Sequence, residues 1–285
     1  MPDFAANAYA KINLTLDVTG TRPDGYHTLR SVFQSVTLFD RIFLTKESGG
    51  KIDVSCNRPD LSCGRDNTVR RAAEVFFGAA EIPNPGISFR VEKRIPWQAG
   101  LGGGSADAAA ALLLLNRMFS NVLSEQELSA SGLKVGADVP FCLVNGTALA
   151  EGIGERLTAL PPLPPCQILL CKPSAGIGTK EAYQALDKKR YFADRFTGPM
   201  LRALRVGKWN EITDCVGNVF EPLASIPEIL QIKRHMTASG AAAACMTGTG
   251  SAVFGLFQKE TQARACADEL SRYDTDCFLC EPYHP

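Results

Sequence analysis

The sequence predicts an α+β protein built from two domains. Strand-like and helix-like segments follow one another without a strict βαβ rhythm, which is typical of an α+β layer rather than a doubly wound sheet. The chain has 285 residues, a length at which a single core stops growing. Its one proline-dense segment, PPLPP at 161–165, lies past the middle of the chain. We therefore expect an N-terminal domain at 1–160 and a C-terminal domain at 161–285.

The first domain is predicted to contain strands in three segments rich in β-branched and aromatic residues that partly alternate with polar ones. These segments are 8–18, 32–46 and 87–95. A turn, TRPDGYH, separates the first two, and TALAEGIGERLTAL after Gly146 reads as two short strands around a glycine turn.

Two helices are predicted in the same domain. Residues 67–77 place apolar side chains at helical spacing, and Asn67 is suited to the N-cap. Residues 106–118 are strong helix formers, and Ser105 stands where it could cap them.

The second domain is predicted to begin with a buried strand at 167–171. Helical stretches follow between 180 and 237, then a strand pair around TGTGS, a helix at 261–272 and a terminal strand.

The charge balance argues against nucleic acid as a partner. Thirty basic residues match thirty acidic ones, and no Lys/Arg run forms a phosphate-binding stripe. The longest strongly apolar stretch, 108–115, is far short of the roughly 20 residues that span a bilayer, and the N-terminus has no leader pattern. We expect a cytoplasmic protein without a membrane partner.

The ten cysteines show no framework spacing and are expected to be reduced and mostly buried. Cys277 and Cys280 form the one CxxC. A structural zinc would need two further ligands, and His284 is the only candidate nearby, so we expect no metal there.

The chemistry is expected to reside in the glycine-rich loop between the strand at 87–95 and the helix at 106–118. Glycines let the backbone approach an anion closely, and the following helix directs its positive end toward the same place. Spacing excludes the familiar phosphate loops: the third glycine of GxGxxG is replaced by Ser105, and GxxxxGK[ST], HRD and DFG are absent.

The remaining pattern, PxxAGLGGGSA, resembles the second motif of the GHMP kinases. AYAKINLTL at 8–16 and MTGTGSAVFGLF at 246–257 stand where that superfamily has its first and third motifs. The resemblance implies an ATP-dependent kinase for a small alcohol. It also implies a ribosomal protein S5 domain 2-like N-terminal domain, a ferredoxin-like C-terminal domain and an active site in the interdomain cleft.

Within the superfamily, four segments are similar to the 4-diphosphocytidyl-2-C-methyl-D-erythritol kinase family of the non-mevalonate isoprenoid pathway. They are KINL at 11–14, RPDGYH at 22–27, GADVPF at 136–141 and AEG at 150–152. The resemblance implies phosphorylation of the substrate's 2-hydroxyl by ATP with Mg²⁺.

Two charged residues fit the demands of phosphoryl transfer to an alcohol. Asp138 stands at a constrained turn before a proline, and the resemblance implies that it is the general base. Lys11 lies in the otherwise uncharged stretch AYAKINLTL, where it either reaches solvent or faces a site; the resemblance places it beside the acceptor hydroxyl. Asn13 shares its strand face and is expected to bind substrate.

The nucleobase is expected to contact Tyr26 and His27, whose rings suit stacking and hydrogen bonding to cytosine. By resemblance, Tyr183 adds a second aromatic ring. The residues expected to contact ATP are Pro96, Trp97, Gln98, Ala99, Gly100, Leu101, Gly102, Gly103, Gly104, Ser105, Ala106, Thr249 and Gly250. The ligands of Mg²⁺ are left unassigned, since Ala106 replaces a serine that most relatives carry.

Two alternatives stay open. Another GHMP kinase, of the homoserine or mevalonate type, would share the loop but accept a different alcohol. A non-catalytic nucleotide-binding module would not need both Lys11 and Asp138. We expect a monomer or a weak homodimer.

Overall fold

The computed structural model describes residues 2–192 and 194–285. The chain forms two compact units, each built from separate stretches. The first comprises the chain up to Ala10, Phe39–Ile95 and Gly102–Val144; the second comprises Lys11–Leu38, Pro96–Leu101 and Asn145–Pro285. The boundary predicted at 160/161 lies inside the second unit and, as a division into sequence domains, stays a prediction.

Strands and helices follow one another along the described residues in an α+β order, without strict alternation. The strands are β1 (Phe4–Thr21), β2 (His27–Lys46), β3 (Ile52–Cys56), β4 (Ile87–Glu92), β5 (Thr147–Gly152), β6 (Arg156–Ala159), β7 (Gln167–Pro173), β8 (Gly217–Asn218), β9 (Ala243–Met246), β10 (Val253–Phe257) and β11 (Thr275–Cys280). The helices are α1 (Thr68–Ala80), α2 (Gly103–Met118), α3 (Glu125–Val135), α4 (Val139–Val144), α5 (Thr179–Lys189), α6 (Thr197–Val206), α7 (Trp209–Thr213), α8 (Pro227–Ala238) and α9 (Glu260–Leu270), with a 3₁₀ turn at Glu221–Leu223.

In the first unit, β4 pairs in parallel with β3 and antiparallel with the second half of β2. Helices α1 and α2 pack against each other, and α3 and α4 pack against them. Helix α2 is buried on nearly every side, as its run of alanines and leucines requires. Its alanines are small enough to allow that close packing, and this fixes the helix that follows the glycine loop.

In the second unit, the first half of β2 pairs with β5, β5 pairs with β6, and β8 runs parallel to β1. A separate four-stranded antiparallel sheet has the order β11-β7-β10-β9, with α8 and α9 packed on it. In chain order this sheet reads 4-1-3-2 with βαββαβ connectivity, which confirms the ferredoxin-like arrangement expected for the C-terminal part.

The helix caps give one confirmed prediction and one that was wrong. Asn67 caps α1, and its side chain accepts from the backbone N–H of Val69 at 2.9 Å. Ser105 does not cap α2, because the helix already begins at Gly103 with Gly102 as its N-cap. Glycine at 102 takes φ = 70°, which lets the chain enter the helix three residues earlier than the helix-former pattern indicates.

All ten cysteines are free, and six of them are buried. In the part of the chain that the structure describes, no helix combines the length and the apolar character needed to cross a membrane.

Candidate active site

The two glycine segments of the second unit lie against each other. Gly100 has φ = 75°, and a Cβ there would stand 2.2 Å from the carbonyl oxygen of Thr247. The backbone N–H of Ala252 donates to the carbonyl of Ala99 at 3.2 Å, and the Thr247 hydroxyl contacts the Gly100 carbonyl at 3.4 Å. Only glycine fits this approach, so the segment 96–101 and the TGTGS loop form one surface.

The rest of the glycine-rich loop lies in the first unit, at the start of α2. No side chain caps the first turn of this helix, so its N–H groups remain for a ligand. A Cβ at Gly103 would stand 3.0 Å from Ile95 Cγ2. Because the glycines have no side chains, the backbone here can approach an anion closely.

Three members of the predicted ATP set, Ala99, Leu101 and Ala106, have buried side chains. Only their backbone groups are available to a ligand. Trp97, by contrast, is 58% exposed, and its neighbour Gln98 has φ = 52°.

Lys11 is buried, being only 4% exposed, and does not reach solvent. Its Nζ donates to Asn13 Oδ1 at 2.8 Å and lies 4.7 Å from the ring centroid of Phe33. Its backbone N–H donates to the carbonyl of Leu101 at 3.0 Å, which ties β1 to the glycine segment. Lys11 therefore belongs to the same surface of the second unit as Gly100 and Thr247.

Asn13 holds this lysine in place. Its Nδ2 donates to Ser31 Oγ at 2.8 Å, and its backbone N–H donates to Thr247 Oγ1 at 2.9 Å. The carboxamide of Asn13, predicted to bind substrate, thus contacts both Lys11 and Ser31 and orients the ammonium group.

Asp138 lies in the first unit, half-buried, immediately before α4. Its carbonyl accepts from the N–H of Cys142 at 3.1 Å, as the first turn of that helix requires. Two residues earlier, a Cβ at Gly136 would stand 3.6 Å from Ser105 Oγ, so the loop that carries Asp138 adjoins the start of α2. That Asp138 and Lys11 flank one hydroxyl stays a prediction, as does the cleft between the domains.

His27 and Tyr183, which are 156 residues apart in the predicted nucleobase site, lie together in the second unit. Their ring centroids are 4.7 Å apart, and Tyr183 packs edge-on against the buried Phe220 at 4.9 Å. Tyr26 is 62% exposed, and its N–H is held by Asp24 Oδ1 at 3.1 Å. In the second unit, the Tyr26 ring is thus exposed, whereas the rings of His27 and Tyr183 pack against neighbouring rings.

Comparison with known proteins identifies the family to which the chain belongs. The model of the GHMP kinases N terminal domain matches residues 67–146, and that of the GHMP kinases C terminal domain matches 200–275. A 4-diphosphocytidyl-2-C-methyl-D-erythritol kinase of Pelotomaculum thermopropionicum is 42% identical over 99% of both chains. One of Desulfitobacterium hafniense is 44% identical over 91% of this chain and 89% of the relative. The chain belongs to the 4-diphosphocytidyl-2-C-methyl-D-erythritol kinase family.

Solved structures agree with this assignment. The crystal structure of a 4-(cytidine 5'-diphospho)-2C-methyl-D-erythritol kinase is 34% identical, covers 98% of both chains and has a TM-score of 0.81. A mevalonate kinase structure has a TM-score of 0.78 at 15% identity, which shows the shared fold alone. The two-domain α+β GHMP kinase fold is confirmed, and the chain is an ATP-dependent small-molecule kinase.

Sequence reasoning missed a buried ionic cluster beneath the glycine loop in the first unit. Lys93 Nζ contacts Asp40 and lies 2.7 Å from Asp107 Oδ2. The same ammonium is 3.3 Å from the position that a Cβ at Gly103 would take. A lysine directly after β4 and an aspartate in the first turns of a helix of alanines were the available signals.

The buried setting changes the proton affinity of Asp107. Burial raises the pKa of Asp107 to about 7, against the opposing pull of Lys93. Burial lowers the pKa of Lys93, but the two carboxylates outweigh it and the net pKa is raised. Asp107 Oδ1 is buried without a hydrogen-bond partner among the described residues, which also favours the protonated acid. The cluster holds the end of β4 against the start of α2.

The two cysteines of the CxxC face different ways. Cys277 and Cys280 are three positions apart on β11, so their side chains point to opposite faces of the sheet. Cys277 Sγ lies 3.1 Å from Cys171 Sγ, whereas Cys280 donates to the carbonyl of Ile168. Within the described residues, no three His, Cys, Asp or Glu side chains gather as metal ligands.

Proposed function

We propose that this chain transfers the γ-phosphoryl group of ATP to the 2-hydroxyl of 4-diphosphocytidyl-2-C-methyl-D-erythritol, a step of the non-mevalonate isoprenoid pathway. The observation that carries the proposal is Lys11, a buried ammonium oriented by Asn13 and tied through its backbone to the glycine segment. Burying a charge is costly, and a module that only bound nucleotide would have no need of it. Identity of 42% over 99% of a relative with that substrate in its name supports the choice of alcohol.

ATP fits the residues present. Gly102 takes positive φ, and the first turn of α2 has no side-chain cap, so the backbone N–H groups at this helix start can bind a phosphate. Mg²⁺ typically keeps several waters and binds substrate phosphates with only one or two protein ligands. The ion would arrive with ATP and neutralise charge on its phosphates.

In the proposed mechanism, Asp138 accepts the proton of the acceptor hydroxyl while the oxygen of that hydroxyl forms a bond to the γ-phosphorus. The bond from that phosphorus to the β-phosphate oxygen breaks, and ADP leaves. Lys11 stabilises the negative charge that develops on the acceptor oxygen. Asn13 and Ser31 keep the ammonium in place, so no reorganisation is needed at the moment of transfer.

Recognition of the cytosine ring is assigned to Tyr26, His27 and Tyr183. The paired rings of His27 and Tyr183 supply a rigid aromatic surface, and the exposed Tyr26 supplies a face for stacking. An uncharged alcohol without a nucleobase would leave these groups unused.

A coupled assay of ADP release across candidate alcohols tests the proposal. The purified chain, with Mg²⁺ and ATP, is offered the cytidyl substrate, mevalonate and homoserine in separate reactions. We expect turnover with the cytidyl substrate alone. Turnover confined to mevalonate or homoserine would overturn the assignment within the GHMP kinases.

A further inference from the structure

We propose that Asp187 is a positioning residue that fixes the ring of His27 in one tautomer and thereby selects a pyrimidine carrying a 4-amino group over one carrying a 4-oxo group. The inference rests on the proposed function, because it assumes that His27 faces the nucleobase. It adds a residue and a specificity rule that the sequence motifs do not contain.

The contact between the two side chains is short and directional. His27 Nε2 lies 2.7 Å from Asp187 Oδ1, across 160 residues of chain. A carboxylate only accepts hydrogen bonds, so Nε2 carries the proton. In the neutral ring Nδ1 is then a bare acceptor, and it makes no hydrogen bond to the described residues. The structure thus leaves one acceptor nitrogen for a ligand.

Helix α5 supplies two of the groups that contact the histidine. Tyr183 and Asp187 are four positions apart and therefore share one helix face. Between them, Leu186 is fully buried in the core of the second unit, which anchors the helix. The His27 side chain is 9% exposed, so its ring orientation is set by Asp187, Tyr183 and Phe192, the last at 6.2 Å.

The position of Asp187 argues against an incidental surface contact. It lies in the last turn of α5, where a carboxylate opposes the helix dipole and a basic residue is favoured. The two residues that follow it, Lys188 and Lys189, obey that preference. Asp187 is an acidic residue at a position that disfavours one, and it contacts an almost fully buried histidine. This combination indicates that the orientation of the His27 ring is required.

Acceptor Nδ1 distinguishes the two pyrimidines by simple complementarity. The 4-amino group of cytosine donates a hydrogen bond, whereas the 4-oxo group of uracil presents a second acceptor. Placing two acceptors together leaves both without a hydrogen-bond partner, and such mismatches discriminate between ligands.

The first test compares binding of CDP and UDP with kcat/KM for the cytidyl substrate and its uridyl analogue. Wild type should prefer the cytidyl ligand in both. Asp187→Ala should lower that preference roughly ten-fold, through KM and Kd rather than kcat, since one hydrogen bond to a charged group is lost. Asp187→Asn retains an acceptor oxygen for Nε2–H and should keep most of the preference. Lys188→Ala, an exposed neighbour, is the matched control and should behave as wild type.

A ¹⁵N spectrum of the histidine side chains provides a readout that does not depend on turnover. His27 should appear as the Nε2–H tautomer in wild type and lose that bias in Asp187→Ala. An unchanged CDP/UDP preference in a folded Asp187→Ala, or a proton found on Nδ1 in wild type, would overturn the inference. Failure of the wild type to phosphorylate the cytidyl substrate, with the CDP preference and the tautomer intact, would instead remove the proposed function alone.

Discussion

At the scale of single residues, the central feature is Lys11, a buried lysine whose ammonium group donates a hydrogen bond to Asn13. A replacement of Lys11 by methionine keeps the volume and removes the charge. We expect kcat to fall at least about 100-fold, because stabilisation of the acceptor oxygen is lost. We also expect thermal stability to stay level or rise, because a buried charge is replaced by an apolar group. Steady-state kinetics and a melting curve on the same preparation check both. A kcat within a few-fold of wild type would remove Lys11 from the chemistry.

The raised pKa of Asp107 predicts how the free energy of unfolding depends on pH. Its pKa is raised to about 7 by burial, from an ordinary value of 3.8. The folded chain then holds the proton more tightly than the unfolded chain, so between about pH 4 and pH 7 the free energy of unfolding falls as pH rises. The loss from this site is up to about 4 kcal/mol.

Asp107→Asn should remove that component, so the variant gains stability relative to wild type as pH rises from 5 to 8. Urea unfolding of both proteins at the two pH values measures the difference. Equal pH dependence in wild type and variant would contradict the raised pKa.

The sequence predicts the functional roles of some residues and gives no sign of others. Lys11 and Asp138 could be named because each stands inside a short contiguous motif. The cluster of Lys93, Asp40 and Asp107 could not, because Asp40 on β2 and Asp107 on α2 are 53 and 14 residues from Lys93, which follows β4. Their proximity is a product of tertiary packing, which the local pattern does not carry.

At the scale of elements, the glycine segment is limited by its backbone neighbours. Gly100→Ala would place a methyl group 2.2 Å from a carbonyl oxygen at a positive φ. We expect a loss of about 1–3 kcal/mol in stability together with weaker ATP binding, since the two loops must separate.

Gly78→Ala is the matched control for that substitution. Gly78 lies inside α1, with nothing within 4 Å of its would-be Cβ, so alanine there should stabilise by about 0.5–1 kcal/mol. Unfolding curves and ATP titration of both variants give the comparison. A Gly100→Ala protein as stable and as tight for ATP as wild type would contradict the loop contact.

Element types were predictable and their ends less so. The strand expected at 8–18 extends over Phe4–Thr21, because pairing with neighbouring strands continues past the alternating stretch. Asn67 could be recognised as a cap because its side chain acts locally. Ser105 could not be excluded as one, since only the positive φ of Gly102 reveals the earlier start of α2.

At the scale of the whole molecule, the α+β class and the ferredoxin-like sheet followed from element order and resemblance. The interleaving of the two compact units did not, because β1 and β2 each contribute residues to both and no composition change marks the crossing. The oligomeric state, monomer or weak homodimer, stays a prediction that light scattering on the eluting protein would measure.

We propose that this chain phosphorylates the 2-hydroxyl of the cytidyl substrate by means of Lys11 and Asp138. ³¹P NMR of the reaction with ATP and Mg²⁺ detects the product and its rate of formation. We expect one new phosphomonoester resonance on a product whose diphosphate bridge is intact, with Asp138→Asn forming it at least about 100-fold more slowly. No phosphomonoester from the wild type, or equal rates from wild type and Asp138→Asn, would contradict it.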